Sequence, residues 1–472
     1  MFLLRTLFRF EYLQLRRQPP LLLLLLFYVM MGIYSLYTGH AIIGRQLSGL
    51  DSLTQTQATH LAEAHQRFHG DTSTPRGKQL VAQAGVPQVV EFRHPPYAMN
   101  PPHRLAVLAV GQRDLLPYFD LVNSKRDVLT PPNAEFVNAE KLAAGNFDLA
   151  YVIVYLFPLL IIVWSHNCLS QEKENQVDKL LAIQGASLTR IICYKLLFRF
   201  LVLMLIASGL SIPGFMMYHS GSRITAGDAW LWLYLVFIYL LFWFTLCGLI
   251  IRFNRSSRWN MLCALGAWLL FMMVLPALTN SYTTLRAPVP LLSSLASSQR
   301  ECKEETWELP VQVLLDSFYL HHPEYTRTVT DTAEYGNRRF IAYADLLGRR
   351  TDRILLSYQQ QQSQHRQLQE KLLWLNPVTQ AQHLLYTDAA SGLDSYASYQ
   401  LQVNRFQHTW VAFMNSYLLY DKKLQEKDLD RLPVFHYQET PGKTQQLLLR
   451  SLSIWLAILL ILGITIILPD NN

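Results

Sequence analysis

"NFDLAYVIVYLFPLLIIVWSHNCLSQEKENQVDKLLAIQGAS", residues 146–187, decides how this chain is read. Its first part, about Phe147 to Cys168, is a nearly unbroken apolar run. A helix crossing a bilayer core needs about 20 such residues, so this run is long enough. Its second part, Ser170 to Ser187, is a mixed-charge stretch of eighteen residues, after which the chain turns apolar again near Thr189. Glu172 and Glu174 make that interruption the first place to look for chemistry. They are candidates for catalysis, for a metal, or for contact with a partner, and the choice depends on where the membrane lies.

The rest of the chain has the same pattern. Of 472 residues, 51% are hydrophobic and 16% charged, with a net charge of +7. Soluble domains carry roughly a quarter charged residues, and the apolar residues here are clustered rather than spread at amphipathic spacing. Six spans are expected, at 21–40, 147–168, 189–218, 230–251, 260–282 and 447–468. Residues 1–20 form an amphipathic helix ahead of the first span, with Phe2, Leu3, Leu7, Phe8, Tyr12 and Leu15 set against Arg5, Arg9, Arg16 and Arg17. Such a helix can lie in the interface with its cations near lipid phosphates. The apolar run at 21–40 is longer than a signal core and lacks a small-residue cleavage site, so it is expected to remain as an anchor.

Lys and Arg in short flanks set orientation. Arg5, Arg9, Arg16 and Arg17, then Lys173, Lys179 and Arg190, then Arg252, Arg255 and Arg258 all fall on one side if both termini are cytoplasmic. Lys443 and Arg450, before the last span, run against that pattern. Two long inserts, 41–146 and 283–446, are then extracytoplasmic. The first opens with a helix over "DSLTQTQATHLAEAHQRFHGD", which Asp51 or Ser52 could cap, and continues through a Pro-rich stretch of extended or turn structure. The second offers two long helices, about 338–375 and 393–424, expected to pair as an antiparallel hairpin. Four of the five cysteines lie in or beside spans, leaving Cys302, so no disulfide framework supports the inserts.

Little else carries chemistry. His65 and His69 stand four apart and share a helical face, but two ligands do not close a metal site. His94, Met99 and His103 cluster in the Pro-rich stretch, and His321 and His322 are adjacent; surface histidines explain these as well. Gly39 and Gly44 lack the Lys-Ser/Thr and the preceding strand of a phosphate loop. The spans carry almost no ionisable groups at mid-depth, where ion-coupled carriers usually need them. In the 170–187 stretch itself, Glu172 and Glu174 are two residues apart, which a helix turns to nearly opposite sides. Val177, Leu180, Leu181 and Ile183 give an apolar surface, Gly185 a stop and Ser187 the next cap. Residues 169–188 therefore read as a short amphipathic helix that either lies on lipid or docks a cytoplasmic protein.

Asn146 to Lys195 resembles a known family, the permeases of type-2 ABC exporters, in the long branch with two extracytoplasmic inserts. In that family a helix rich in Pro-Leu-Leu-Ile leads into an acidic-basic-acidic element, then Leu-Leu, a Gly-x-Ser turn and a Lys. Glu172, Lys173 and Glu174 match the element, and Leu180, Leu181, Gly185, Ser187 and Lys195 match the remainder of the pattern. Gln176-Val177 stands where the family usually has Gly-Thr, and "PDNN" ends the chain where basic residues are usual. "PPHRLAVLAVGQRDLLPYF" and "WLNPVTQAQHLLYTDAASGLDSYASYQLQVNRFQHTWVAFMN" are similar to the segments before the family's second and last spans. The resemblance implies a mainly α permease of the bacterial inner membrane: a six-helix transmembrane bundle with an N-terminal interface helix. Of its two extracytoplasmic domains, the first is expected to be mixed α/β or irregular, the second a long helical hairpin. It implies no catalytic residue, metal or cofactor in this chain; ATP and Mg would be bound by two cytoplasmic partner subunits. A second permease, identical or paralogous, membrane lipid and a periplasmic or outer-membrane protein are the other partners it suggests, with no nucleic acid. Glu172, Lys173, Glu174, Leu180, Leu181 and Gly185 would then couple the ATPase to transport. The competing reading is a membrane-anchored sensor or scaffold whose external helices bind an envelope partner.

Overall fold

A computed structural model describes residues 2–124, 146–168, 188–217, 225–253, 256–289, 292–325, 336–439 and 443–467. In chain order its elements are helices α1 (Phe2–Arg17), α2 (Pro19–Phe68), α3 (Pro75–Ala84) and α4 (Pro87–Arg93), then strands β1 (Tyr97–Met99) and β2 (Phe119–Leu121). Next come α5 (Leu149–Ser165), α6 (Leu188–Met216), α7 (Ala226–Arg252) and α8 (Ser257–Arg286). They are followed by α9 (Leu292–Trp307), α10 (Val311–His321), α11 (Asn337–Leu373), α12 (Pro377–Asp388), α13 (Leu393–Leu418), α14 (Glu426–Leu429) and α15 (Lys443–Ile467). The protein is mainly α, and α2, α6, α7, α8 and α15 contain stretches long and apolar enough to cross a membrane. It is a multi-pass membrane protein. The sixth apolar segment, α5, is shorter, at Leu149–Ser165.

The apolar helices pack around α7, whose Trp232, Leu235, Val236, Tyr239, Trp243 and Phe244 are buried among α5, α6, α12 and α15. Prolines shape this bundle. Pro158 has no N–H to offer Val154, one turn back; the Tyr239 hydroxyl donates to that carbonyl instead, at 2.6 Å. A turn of π-helix, Val152–Leu156, precedes Pro158, and a second, Leu270–Val274, precedes Pro276. There the Asn376 amide donates to the Phe271 carbonyl at 2.8 Å. An unmet carbonyl inside a bilayer costs several kcal/mol, so these cross-helix donors stabilise the two irregular helices where they bend.

The chain does not break after the first span. α2 runs fifty residues without interruption, about 75 Å at 1.5 Å per residue, and the cap expected at Asp51 or Ser52 is not used. Gln46 and Arg113 exchange two bonds of 3.0 Å, fixing the middle of α2 to the Pro-rich stretch. That stretch packs Leu105 to Val110, all buried, against the end of the bundle. Gly39 is required there, since a Cβ at this position would strike the Val107 carbonyl.

The two inserts, expected as separate domains, share one core. The buried face of α13 (Tyr399, Val403, Phe406, Trp410 and Met414) packs with Ala98 and Val122 of the first insert and with Leu314 and Phe318 of α10. Polar bonds repeat the connection. Tyr399 donates to the Ala98 carbonyl at 2.8 Å, Trp410 to Glu91 at 2.9 Å, and the Leu424 amide to the Gly85 carbonyl at 2.7 Å. The expected hairpin is therefore corrected. α11 and α13 are tied at their ends, Asn337 to Asp421 at 3.0 Å and Arg366 to Asp394 at 3.8 Å. Between those ends Leu314, Leu315 and Phe318 of α10 share the core with both, and α11 packs along α9 and α10.

Two histidines in this module give it opposed responses to pH. Partial burial works against charge on His322, but Asp345 and Glu324, at 2.9 and 3.0 Å, outweigh it and raise the pKa above the ordinary 6.5. Its stabilisation is complete below about 6.5 and disappears as pH rises through the folded value. Burial, helped by Arg67 and the neighbouring His60, pushes His94 down to about 4. That group is stable as neutral imidazole above 6.5, and the stability is lost as pH falls towards 4. His322→Gln should lower the thermal midpoint at pH 6 and leave it unchanged at pH 9, whereas His94→Gln should flatten the decline between pH 6.5 and 4. Unaltered profiles in both variants would show that neither group is linked to folding.

Candidate functional site

The mixed-charge segment lies between Cys168 and Leu188 in the sequence. Residues 169–187, with Glu172, Lys173, Glu174, Leu180, Leu181 and Gly185, lie outside the described residues. What the structure describes is the chain on either side of that segment. α5 ends at Ser165 and runs into a turn over His166–Cys168, and carbonyls at such an end have no partners within the helix. Side chains from two neighbouring helices supply them. Arg199 of α6 donates to the Trp164 carbonyl, Asn260 of α8 to His166 at 3.3 Å, and Lys195 of α6 to Cys168 at 3.3 Å. Two cations at a helix C-terminus also complement its dipole.

Those cations are buried, each at 3% exposure, and are balanced by a carboxylate from a third helix. Glu11 of α1, 2% exposed, accepts from Arg199 Nε at 3.0 Å and Nη2 at 3.4 Å and lies 3.8 Å from Lys195 Nζ. Charges so deeply buried persist only when paired and hydrogen-bonded, and the acceptors here include Glu11 and the carbonyls of Trp164 and Cys168. Aromatic rings close the cluster: Phe10 lies 5.6 Å from Lys195 and Trp164 lies 5.8 Å from Arg199. Phe8 meets Phe198 edge-on at 5.5 Å. One charge cluster thus joins α1 to the end of α5, just before residue 169, and to the first turns of α6, which begins at Leu188.

The four arginines assigned to an interface helix, Arg5, Arg9, Arg16 and Arg17, are all exposed on α1. Phe10, Tyr12 and Leu13 are exposed as well. α1 therefore presents cations and apolar groups outward while its one acid points inward, the arrangement that an interfacial position requires. Sequence reasoning overlooked Glu11, although a signal was present: it is the single acidic residue in the first fifty.

The histidines resolve differently. His65 and His69 meet α14, with His69 at 2.9 Å from Glu426. His65 turns one ring nitrogen to Glu426 at 3.4 Å and the other to Asp430 at 3.3 Å. Because those nitrogens face opposite ways, the donors do not converge. No group of three or more His, Cys, Asp or Glu is arranged to hold a metal among the described residues.

Comparison with known proteins adds one finding. A family model described as "Domain of unknown function (DUF3526)" matches residues 294–438. That range covers most of α9 through α14, the second half of the polar module, and leaves out every candidate span. No curated protein and no solved structure matches the chain.

The cluster makes a specific prediction. Removing one member of a buried ion group typically costs about 3–5 kcal/mol, because it strands the remaining charge. Arg199→Met should therefore lower stability by about that amount in thermal unfolding of the purified protein. Glu11→Leu combined with Arg199→Met should cost clearly less than the two single changes added together. Additive losses would mean that the two side chains do not depend on each other.

Proposed function

We propose that this protein is the permease subunit of an ATP-driven exporter of the type-2 ABC class, with six transmembrane crossings and both termini in the cytoplasm. The observation that supports this most directly is the buried Glu11–Lys195–Arg199 cluster. An external motor that pushed on residues 169–187 would act on a segment whose flanking helices α5 and α6 are held rigidly to each other and to α1. Force would pass into α5, α6 and α1 together rather than dissipate in a hinge. The match of Glu172, Lys173, Glu174, Leu180, Leu181 and Gly185 to the family's coupling element supplies the point of contact. In this reading α5 is the second crossing despite its length, since Cys168 and Phe147 extend the apolar stretch on either side.

The chain would work beside a second permease, identical or paralogous, with two cytoplasmic ATPase subunits, in the bacterial inner membrane. The chemistry of ATP and Mg would belong to those subunits. The module built from both inserts would stand on the opposite side and receive or release a peptide, lipid or lipoprotein-like cargo. The shared core of that module also suits a second reading, a mechanical sensor whose external part binds an envelope partner. Movement of cargo by reconstituted vesicles separates the two.

Glu172→Ala combined with Glu174→Ala should abolish co-purification of the ATPase while leaving the permease folded, as judged by gel filtration. A retained complex with unchanged ATPase stimulation would remove the docking role from this segment.

A further inference from the structure

An open cleft of about 720 Å³ lies between α8, α11 and α12, within the range of small-molecule sites. Its axis follows α11. At the outer end His365 binds the Ala287 carbonyl at 2.8 Å; near the other end Asn376, just beyond α11, binds Phe271 inside the apolar part of α8. The lining changes character along this line. Pro276, Leu372 and Leu373 form the end next to the apolar helices, while Gln362, His365 and Arg366 form the end about 16 Å away along the helix. One wall, α8, is the least buried of the five candidate spans, so the apolar end adjoins the lipid-facing side of the bundle. A cleft graded in this way suits an amphiphile.

The polar end selects the head. Each charged residue of the lining already has an opposite charge beside it: Arg366 faces Asp394 at 3.8 Å, and Glu370 faces Arg450 at 3.2 Å. Burial lowers the pKa of His383, with Arg450 adding to the effect and Asp394 and Glu370 opposing it. Its Nε2 lies 3.1 Å from Arg450 Nη1 and accepts from it as neutral imidazole. A lone phosphate or ammonium would have to displace these pairs. What remains is uncharged: the carboxamides Gln112, Asn280, Gln362, Gln369 and Gln382, each able to donate and accept, alongside threonine and serine hydroxyls. Sugar rings stack on aromatic faces, and among the described residues Tyr386 alone brings a large aromatic side chain to the lining.

We propose that this cleft binds an acylated peptide, with its acyl chain at the Pro276–Leu373 end and an uncharged, amide-bearing head among the glutamines. The inference refines the cargo of the exporter reading and rests on that reading for its role in transport. Binding itself requires neither ATP nor a partner.

The test uses the full-length chain in detergent, without nucleotide, and tracks the anisotropy of an N-palmitoyl tripeptide amide bearing a neutral fluorophore. Saturable binding is expected, with the unacylated tripeptide amide and lysophosphatidylethanolamine each competing at least about tenfold more weakly than unlabelled palmitoyl peptide. Asn280→Trp, which fills the cleft from an exposed position, should weaken binding about tenfold or more. Gln369→Leu, at an exposed site that leaves folding intact, should weaken it about fivefold, the loss of roughly one hydrogen bond. Equal competition by the lysolipid, equal competition by the free peptide, or unchanged affinity in Gln369→Leu would each overturn the proposal. Such a failure leaves ATPase co-purification untouched, and loss of the ATPase complex leaves this binding untouched, so the two readings fail separately.

Discussion

The end of α5 and the turn that follows it need hydrogen-bond donors, and the rest of the arrangement depends on how they get them. The carbonyls of Trp164, His166 and Cys168 are served by Arg199, Asn260 and Lys195 from two other helices. Burying two cations there requires an anion, and Glu11 brings in α1 to provide it. A capping problem at the end of one helix thus fixes four helices together on one face of the bundle. Such a cluster contributes little net stability compared with well-packed apolar residues. Its consequence is geometric, since it settles where residues 169–187 begin and end.

At the other end of the bundle the same constraint is met by different means. The irregular stretch Leu105 to Val110 and the short helix α12 pack onto the apolar helices there, and polar groups beside them are tied off by specific donors. Asp148 accepts from the Tyr151 amide at 2.7 Å and the Gly111 amide at 3.0 Å, which seats the Pro-rich stretch on the start of α5. Because α11 and α13 share the core of the polar module, and α2 packs beside it through Ala64 against Val90, Leu424 and Leu429, motion of α2 has a direct path into that module. The graded cleft sits at that junction, between α8 and α11.

Much of this was legible in the sequence, and the parts that were not have physical reasons. Clustered apolar runs revealed the five long spans, and the charge pattern of residues 5–17 revealed the amphipathic helix. Asp51-Ser52 imitates a helix start, yet no proline falls between Pro20 and Pro75, and polar residues leaving a membrane need not end a helix. The hairpin expectation failed because periodicity reports a face, not what covers it. The partners of α13 are Ala98 and Val122, some three hundred positions earlier in the chain, a distance no local pattern encodes. Pro158 and Pro276 were visible, but the π turns before them and the roles of Tyr239 and Asn376 emerge only from packing. Glu11 was in plain view as a lone acid among arginines; what it pairs with was not.

The central claim is that the charge cluster with α1 and residues 169–187 occupies one side of the membrane, while the module built from both inserts occupies the other. Sided labelling measures this most directly. Single cysteines at Arg9, Gln176, Asp71 and Gln361 would be placed in a background with the five native cysteines replaced by serine. They would then be probed with a membrane-impermeant maleimide in sealed vesicles of each orientation. The account predicts that positions 9 and 176 label only from the cytoplasmic side and positions 71 and 361 only from the opposite side. Labelling of 176 together with 361 from the same side would contradict it.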